Sequence, residues 1–386
     1  QTVKLWNVKT GSCFKSFHGH TDVVRSVSFS IKNQLIASGS NDQTVRIWNI
    51  NTGECIKILR GYSNWICSVN FNIDDRFIVS SSFDQSLKLW DVNTGQCVKT
   101  LYRSSNSISS ANFSPNGQKI ASGSSDDTVK IWDTYSGECL LTLYGHSNWV
   151  SSISFSPDGE LIASGSTDKK IILWKVDSGE IIKILEGHNN SVSCVAFSPI
   201  NPILASSSLD QTIKLWDIFS GECLRTFKGH SILANSVTFS PDGKIIVSSG
   251  SDQKIKLWDI STAQCLKTLE GHNKKINSVT ISPDGNIIAS ASNDHTVKLW
   301  DIHTGKCLKN LQEHTDNVYS VVFSHDGQLL ASAGKDDTIK FWHLKTGECL
   351  KKIINDRPYE RMNIIGVKGL TSSEITTLKA LGAVEE

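Results

Sequence analysis

From about residue 18 to residue 355, short stretches of alternating apolar and polar residues recur with a period of 42. Each unit opens on a stretch such as SSISF or SVTFS and passes through a turn that reads SPDG, a hairpin-turn signal, in the fourth, sixth and seventh units. A second stretch, as in LIASGS, runs into SGSSDDT or SSSLDQT, small and acidic residues suited to a tight turn. Next comes TVKIWD or TIKLWD, rich in β-branched residues and closing on a tryptophan; TGECLKTL then adds a turn and a fourth stretch. Alternation of this length and composition is that of half-buried strands, so each unit predicts a four-stranded antiparallel meander.

Nine tryptophans keep the period: Trp6, Trp48, Trp90, Trp132, Trp174, Trp216, Trp258, Trp300 and Trp342. A length of 386 residues would suggest two or three domains, but a fixed repeat near 40 residues points to many small units sharing one core. A single meander cannot bury both faces, so copies must pack face to face. With no polar capping unit at either end, closure into a ring is expected. Eight complete units run from His20 to Ile354 and give an all-β ring of eight blades over residues 18–355. Residues 1–17 hold an extra strand pair, TVKLWNV and SCFKSF, read either as a clasp that closes the ring or as the remnant of a preceding blade. Seven blades would leave one unit with exposed edges, and nine would need a tail that kept the frame. Residues 356–386 break it. There Thr371 and Glu374 make a capping box, Ile375, Leu378 and Leu381 share one helical face, and Gly382 suits a stop, which predicts a short helix over 372–381. That helix is expected to dock on the ring or on another domain.

Charge is balanced, 39 Lys and Arg against 38 Asp and Glu, which argues against a surface built to trap nucleic acid. No apolar run approaches the ~20 residues that span a bilayer, and no signal peptide is expected. The single methionine is Met362, so the chain is expected to be cut from a longer one. Eight cysteines fall in one column, Cys13, Cys55, Cys97, Cys139, Cys223, Cys265, Cys307 and Cys349, with Ile181 in the ninth place. One per blade is too far apart for disulfides, and no C-x-x-C pair offers a zinc site. Buried, reduced cysteines in a cytoplasmic protein are expected. Phosphate-binding loops, nucleophile elbows and H-E-x-x-H motifs are all missing. The expectation is a non-enzyme without cofactor or metal.

Four columns stay nearly constant. In successive units they read His146, Ser164, Asp168, Trp174; His188, Ser206, Asp210, Trp216; and His230, Ser248, Asp252, Trp258. With Gly-His near the start of a unit and Trp-Asp near its end, the chain over residues 1–355 resembles the WD40 family. The resemblance implies a β-propeller in which these four side chains form a hydrogen-bonded chain inside each blade. An imidazole needs a donor and an acceptor, Asp and Ser supply them, and the indole only donates. The histidines are therefore read as structural, not as metal ligands or general bases. Tyr62 and Ser104 stand in the histidine column of units two and three, so those blades are expected to be looser.

Three columns vary instead, and by family resemblance they reach the narrow top face. They contain Arg25, Trp65, Phe83, Trp149, Tyr319 and Lys335, with Trp65 and Trp149 the two tryptophans outside the 42-residue frame. Aromatic and arginine side chains dominate protein-binding hot spots. If the ring closes after eight blades, Tyr319, Lys335, Arg25, Trp65 and Phe83 form one arc with Trp149 further round, expected to grip a peptide or loop of a protein partner. The competing interpretation is that they fill the channel mouth. The tail from Pro358 to Ala383 resembles that of WD40 arrays in cyanobacterial multidomain proteins carrying a signal-transduction ATPase upstream. This implies a sensor or autoinhibitory role with covalently linked upstream domains. The alternatives are a stand-alone scaffold and, with scattered Lys274, Lys275 and Lys335 as its support, an RNA-binding propeller.

Overall fold

The computed structural model describes residues 3–7, 12–31, 34–103, 106–312, 314–327, 329–335, 338–342 and 349–354. The tail, with the helix expected over 372–381, lies outside the described residues. Eight four-stranded antiparallel sheets form, and each is one blade. Blade 4 is representative, with strands Val150–Phe155, Leu161–Ser166, Ile171–Lys175 and Ile181–Leu185 in sequence order. In its SPDG turn Gly159 takes φ of 76°, a left-handed conformation that glycine adopts without cost.

Blades 1 to 7 are built wholly from consecutive strands. Blade 8 takes its first two strands, Val318–Phe323 and Leu329–Gly334, from the end of the chain. Its third and fourth, Val3–Asn7 and Ser12–Phe17, come from the start. The N-terminal strand pair thus stands inside the ring, with Val3 opposite Ala333 and Leu5 opposite Ala331. Thr338–Trp342 and Cys349–Ile354, which continue unit eight in sequence, form a separate two-stranded sheet.

The core lies between blades rather than within them. Ala121, Val129, Ile131 and Leu143 of blade 3 share one cluster with Val150, Ile153, Ile162 and Trp174 of blade 4. Eight such clusters occupy the eight seams. The seam from blade 8 to blade 1 contains Val3, Leu5, Phe17, Ala331 and Ala333 against Val24, Val27, Ile36 and Trp48. The ring is closed.

Inside each blade the constant columns meet. Trp174 Nε1 donates to Ser164 Oγ at 2.7 Å, Ser164 Oγ lies 2.8 Å from His146 Nε2, and His146 Nδ1 lies 2.8 Å from Asp168. The same chain links Trp216, Ser206, His188 and Asp210, and Trp258, Ser248, His230 and Asp252. One neutral tautomer satisfies every member: indole N–H to hydroxyl, hydroxyl to Nε2, Nδ1–H to carboxylate. In blade 2 the absent histidine is replaced rather than left empty. Tyr62 is buried, its hydroxyl meets Ser80 Oγ, and Trp90 Nε1 donates to both oxygens. Asp84, with no imidazole to hold, accepts the backbone N–H of Ser63.

Two predictions concern these chains. Ser206→Ala strands a buried imidazole nitrogen and a buried indole N–H, and should cost about 1–3 kcal/mol in urea titrations. Ser122→Ala, in a blade whose histidine column holds Ser104, should cost less, since Trp132 is the indole it serves. The second prediction is a pH dependence. Burial lowers the His20 and His272 imidazoles below 6.5, although their Asp partners raise them. Burial would raise the Asp168 carboxyl, but hydrogen bonds from His146 and the Lys170 and Ser147 amides outweigh it and hold it at about 2. Asp42, Asp210 and Asp294 shift the same way. In both groups the unfolded chain takes up protons at a higher pH than the folded one. Stability should therefore fall as pH drops below about 6.5, as the unfolded-state histidines protonate, and fall again below about 4 as the carboxylates follow. Urea midpoints measured from pH 8 to pH 3 would check both steps.

Candidate partner-binding face

The varying column that holds Arg25 and Tyr319 lies at the second residue of each blade's first strand, and its chemistry divides the ring in two. In blades 3 to 7 the column residue reaches across a seam to the backbone of the next blade. Ser109 contacts the Val150 carbonyl, Ser151 that of Val192 at 2.6 Å, and Ser193 that of Ala234 at 2.7 Å. Asn235 and Asn277 donate to the carbonyls of Ile276 and Val318 at 2.9 and 2.7 Å. Five successive seams are stitched in this way. Blades 8, 1 and 2 carry Tyr319, Arg25 and Cys67 at the same column, and none of these makes the bond among the described residues.

Freed of that duty, the larger side chains gather around one cavity. The Arg25 guanidinium lies 4.6 Å over the Trp65 ring and 5.9 Å over that of Tyr319. Its Nε donates to Asn41 Oδ1 at 2.6 Å, and it has no carboxylate partner among the described residues. Trp65 meets Phe83 edge to face, centroids 5.8 Å apart, and stays 43% exposed. A cavity of about 400 Å³ is lined by Arg25, Cys67, Phe83, Ser109, Trp149, Ser151 and Tyr319. Trp149, expected further round the arc, reaches this same cavity from blade 4. Its indole N–H is buried without an acceptor. Lys335 lies apart from the cluster, with its ammonium 3.6 Å from Asp316 and half exposed. The arrangement is aromatic, carries one cation free of any carboxylate, and offers one buried donor in need of a partner. Burial pushes the Cys67 thiol up to about 12 against the pull of Arg25, so the thiol is neutral.

Cys67, Ser109 and Ser151 line the cavity without being singled out by sequence, although they share the Arg25 column. The turn of unit five reads SPINP where units four, six and seven read SPDG. It leaves Ile200 63% exposed and Phe219 71% exposed beside a cavity of about 620 Å³ between blades 4 and 5. The cysteine column also differs from expectation. Cys97, Cys139, Cys223, Cys265 and Cys307 are exposed and Cys55 half-buried, because the column lies on the outer strand of each blade, one face of which meets water. Among the described residues no group of three or more His, Cys, Asp or Glu side chains could hold a metal ion. No helix there is long and apolar enough to cross a membrane.

Closed ring and constant tetrads define an eight-bladed β-propeller. A profile described as WD domain, G-beta repeat, matches residues 11–49, 53–91, 221–259, 263–301 and 305–343, about half of the chain. One described as IFT122 first beta-propeller matches residues 107–218. The chain belongs to the WD40-repeat family, whose propellers commonly serve as protein-interaction modules. Among solved structures it is similar to the computationally designed Ika8 protein, with 31% identity and a TM-score of 0.74 over 84% of this chain and 100% of that one. No curated protein matches the chain.

Thiol labelling tests the assignment of the cysteines. Cys97, Cys139, Cys223 and Cys265 should react with maleimide in the folded protein at pH 8 well before Cys67 and Cys194, whose thiols burial makes reluctant to ionise. Peptide mapping after a timed quench reads the order.

Proposed function

We propose that this propeller is a non-catalytic interaction module that grips a peptide or loop of a protein partner at the channel mouth, with Arg25, Trp65, Phe83, Trp149 and Tyr319 as contacts and Lys335 at the rim. The break in the series of inter-blade hydrogen bonds made by this column carries the proposal. Five blades spend this column on holding the next blade, while three adjacent blades place Tyr319, Arg25 and Cys67 there, and the cavity opens beside them. Side chains that merely plugged the mouth would leave neither a cavity nor an unanswered donor. The Trp149 N–H and the Arg25 cation favour a partner group that accepts hydrogen bonds, a carboxylate or backbone carbonyl, lodged among aromatic rings.

On the resemblance of the tail, we further propose that the module belongs to a larger cytoplasmic signalling protein, an ATPase or kinase whose propeller senses a ligand and restrains the upstream engine. A scaffold without that switch would use the same face. RNA is the weaker candidate: Lys335 already lies 3.6 Å from Asp316, and the balanced charge of the chain supplies no broad basic surface for phosphates.

A peptide library panned against the full chain should yield binders. The double substitution Arg25→Ala/Trp65→Ala should weaken them at least about 30-fold, the loss expected from one hot spot of about 2 kcal/mol. Its thermal midpoint should match that of the parent. Binding retained in the double variant would sink the proposal, and binding that weakened steeply with salt and extended to RNA would favour the alternative.

A further inference from the structure

The described residues contain nine copies of the third-and-fourth-strand hairpin but only eight copies of the first-and-second pair. The surplus concerns blade 8. Its Leu329–Gly334 edge is occupied by the N-terminal hairpin, Val3–Asn7 with Ser12–Phe17, in the register of every other blade. Val3, Lys4 and Leu5 face Ala333, Ser332 and Ala331, as Val297, Lys298 and Leu299 face Ala291, Ser290 and Ala289 in blade 7. The C-terminal hairpin, Thr338–Trp342 with Cys349–Ile354, follows Gly334 after only three residues, the spacing that leads from Ser124 to Thr128 in blade 3. It pairs with itself alone.

The two hairpins have the same internal geometry. Val3 pairs with Phe17 and Trp6 with Cys13; Ile339 pairs with Ile353 and Trp342 with Cys349. Both carry a register shift immediately before the tryptophan. The Thr338–Trp342 strand also lies against Ser12–Phe17, so the spare hairpin is held beside the place it matches.

We infer that the Leu329–Gly334 edge is a docking site for which the chain carries two ligands, so that the ring can close on either hairpin and release the other. A strand edge pairs with one partner at a time, so occupation is exclusive. A tethered competitor acts at the high effective concentration of its short connection. The occupant is selected by side-chain volume. Leu5 is wholly buried in the seam between blades 8 and 1. The corresponding position holds Ile47, Leu89, Ile131, Leu173, Leu215, Leu257 and Leu299 in the other blades, whereas the C-terminal hairpin brings Phe341. A phenyl ring in a slot sized for Leu forces its neighbours apart. The N-terminal hairpin adds Phe17, whose ring packs 5.5 Å from that of Trp48. Whichever hairpin is displaced presents unpaired strand edges, the property that lets it join another sheet.

Hydrogen exchange on the full chain tests the exchange of hairpins. In the parent, peptides covering residues 3–17 should be protected at least about tenfold more than those covering 338–354. Leu5→Asp puts a carboxylate into an apolar seam and should transfer protection to 338–354, while 329–334 stays protected and the protein stays monomeric. Phe341→Leu alone should give both hairpins intermediate protection. The double variant Leu5→Asp/Phe341→Asp should expose 329–334 as well. The inference is overturned if Leu5→Asp leaves 329–334 as unprotected as the double variant does. It is equally overturned if protection of 338–354 appears only with dimers by light scattering, which would mean that the hairpin had entered a second copy.

Discussion

A four-stranded blade has two apolar faces and no interior, and everything else in this molecule answers to that fact. Each hydrophobic cluster draws on two adjacent blades, so no blade can be stable without both neighbours. The tryptophan column joins the two levels of organisation. Trp174 packs into the seam with Leu143 of the preceding blade, and its indole N–H enters the hydrogen-bonded chain that holds Ser164, His146 and Asp168 within its own blade. Apolar contact fixes blade against blade, and the polar chain fixes strand against strand. The last seam is completed by Val3, Leu5 and Phe17, so integrity of the whole ring converges on one short N-terminal hairpin.

Repetition also explains where the molecule departs from itself. Ser151, Ser193, Asn235 and Asn277 tie each blade to the next through a backbone carbonyl, a bond that any small hydroxyl or amide side chain can make. Arg25, Cys67 and Tyr319 do not make it among the described residues, and their seams are held by the apolar clusters and, between blades 1 and 2 and blades 2 and 3, by bonds from other columns such as Val69 N–H to Ser26 Oγ and Ala111 N–H to Ser68 Oγ. Large side chains gathered on one arc of the channel mouth give an otherwise eightfold object a front. The same arc includes Tyr319 of blade 8, whose Leu329–Gly334 edge is completed by the N-terminal hairpin. A partner that pressed on Tyr319 or Arg25 would therefore bear on the least symmetric joint of the ring.

Much of this was legible in one dimension. The 42-residue spacing, the alternation within each stretch and the four constant columns depend on local chemistry and on strict repetition, and both survive in a linear string. The tetrads of blades 4, 5 and 6 could be read residue by residue, because a half-buried strand places every second side chain on one face. Blade 2 was harder. Tyr62 in a histidine column suggests a gap, and only the packing shows that the longer phenol reaches both Ser80 and Trp90. The cysteine column misled for a related reason. A residue on a fourth strand has the same sequence pattern whether its face meets the next blade or solvent, and Cys139 and Cys223 meet solvent.

By itself the sequence determined the strands, the tetrads and the number of blades, since each follows from period and residue type over a few tens of residues. The tertiary structure decided what depends on distance across the ring. It brought Trp149 to the cavity of Arg25 and Tyr319, which arise about 125 to 170 residues away. It also chose between two hairpins of similar pattern and the same register, a choice no local pattern contains. The slot that distinguishes Leu5 from Phe341 exists only once blade 1 and blade 8 have closed upon it.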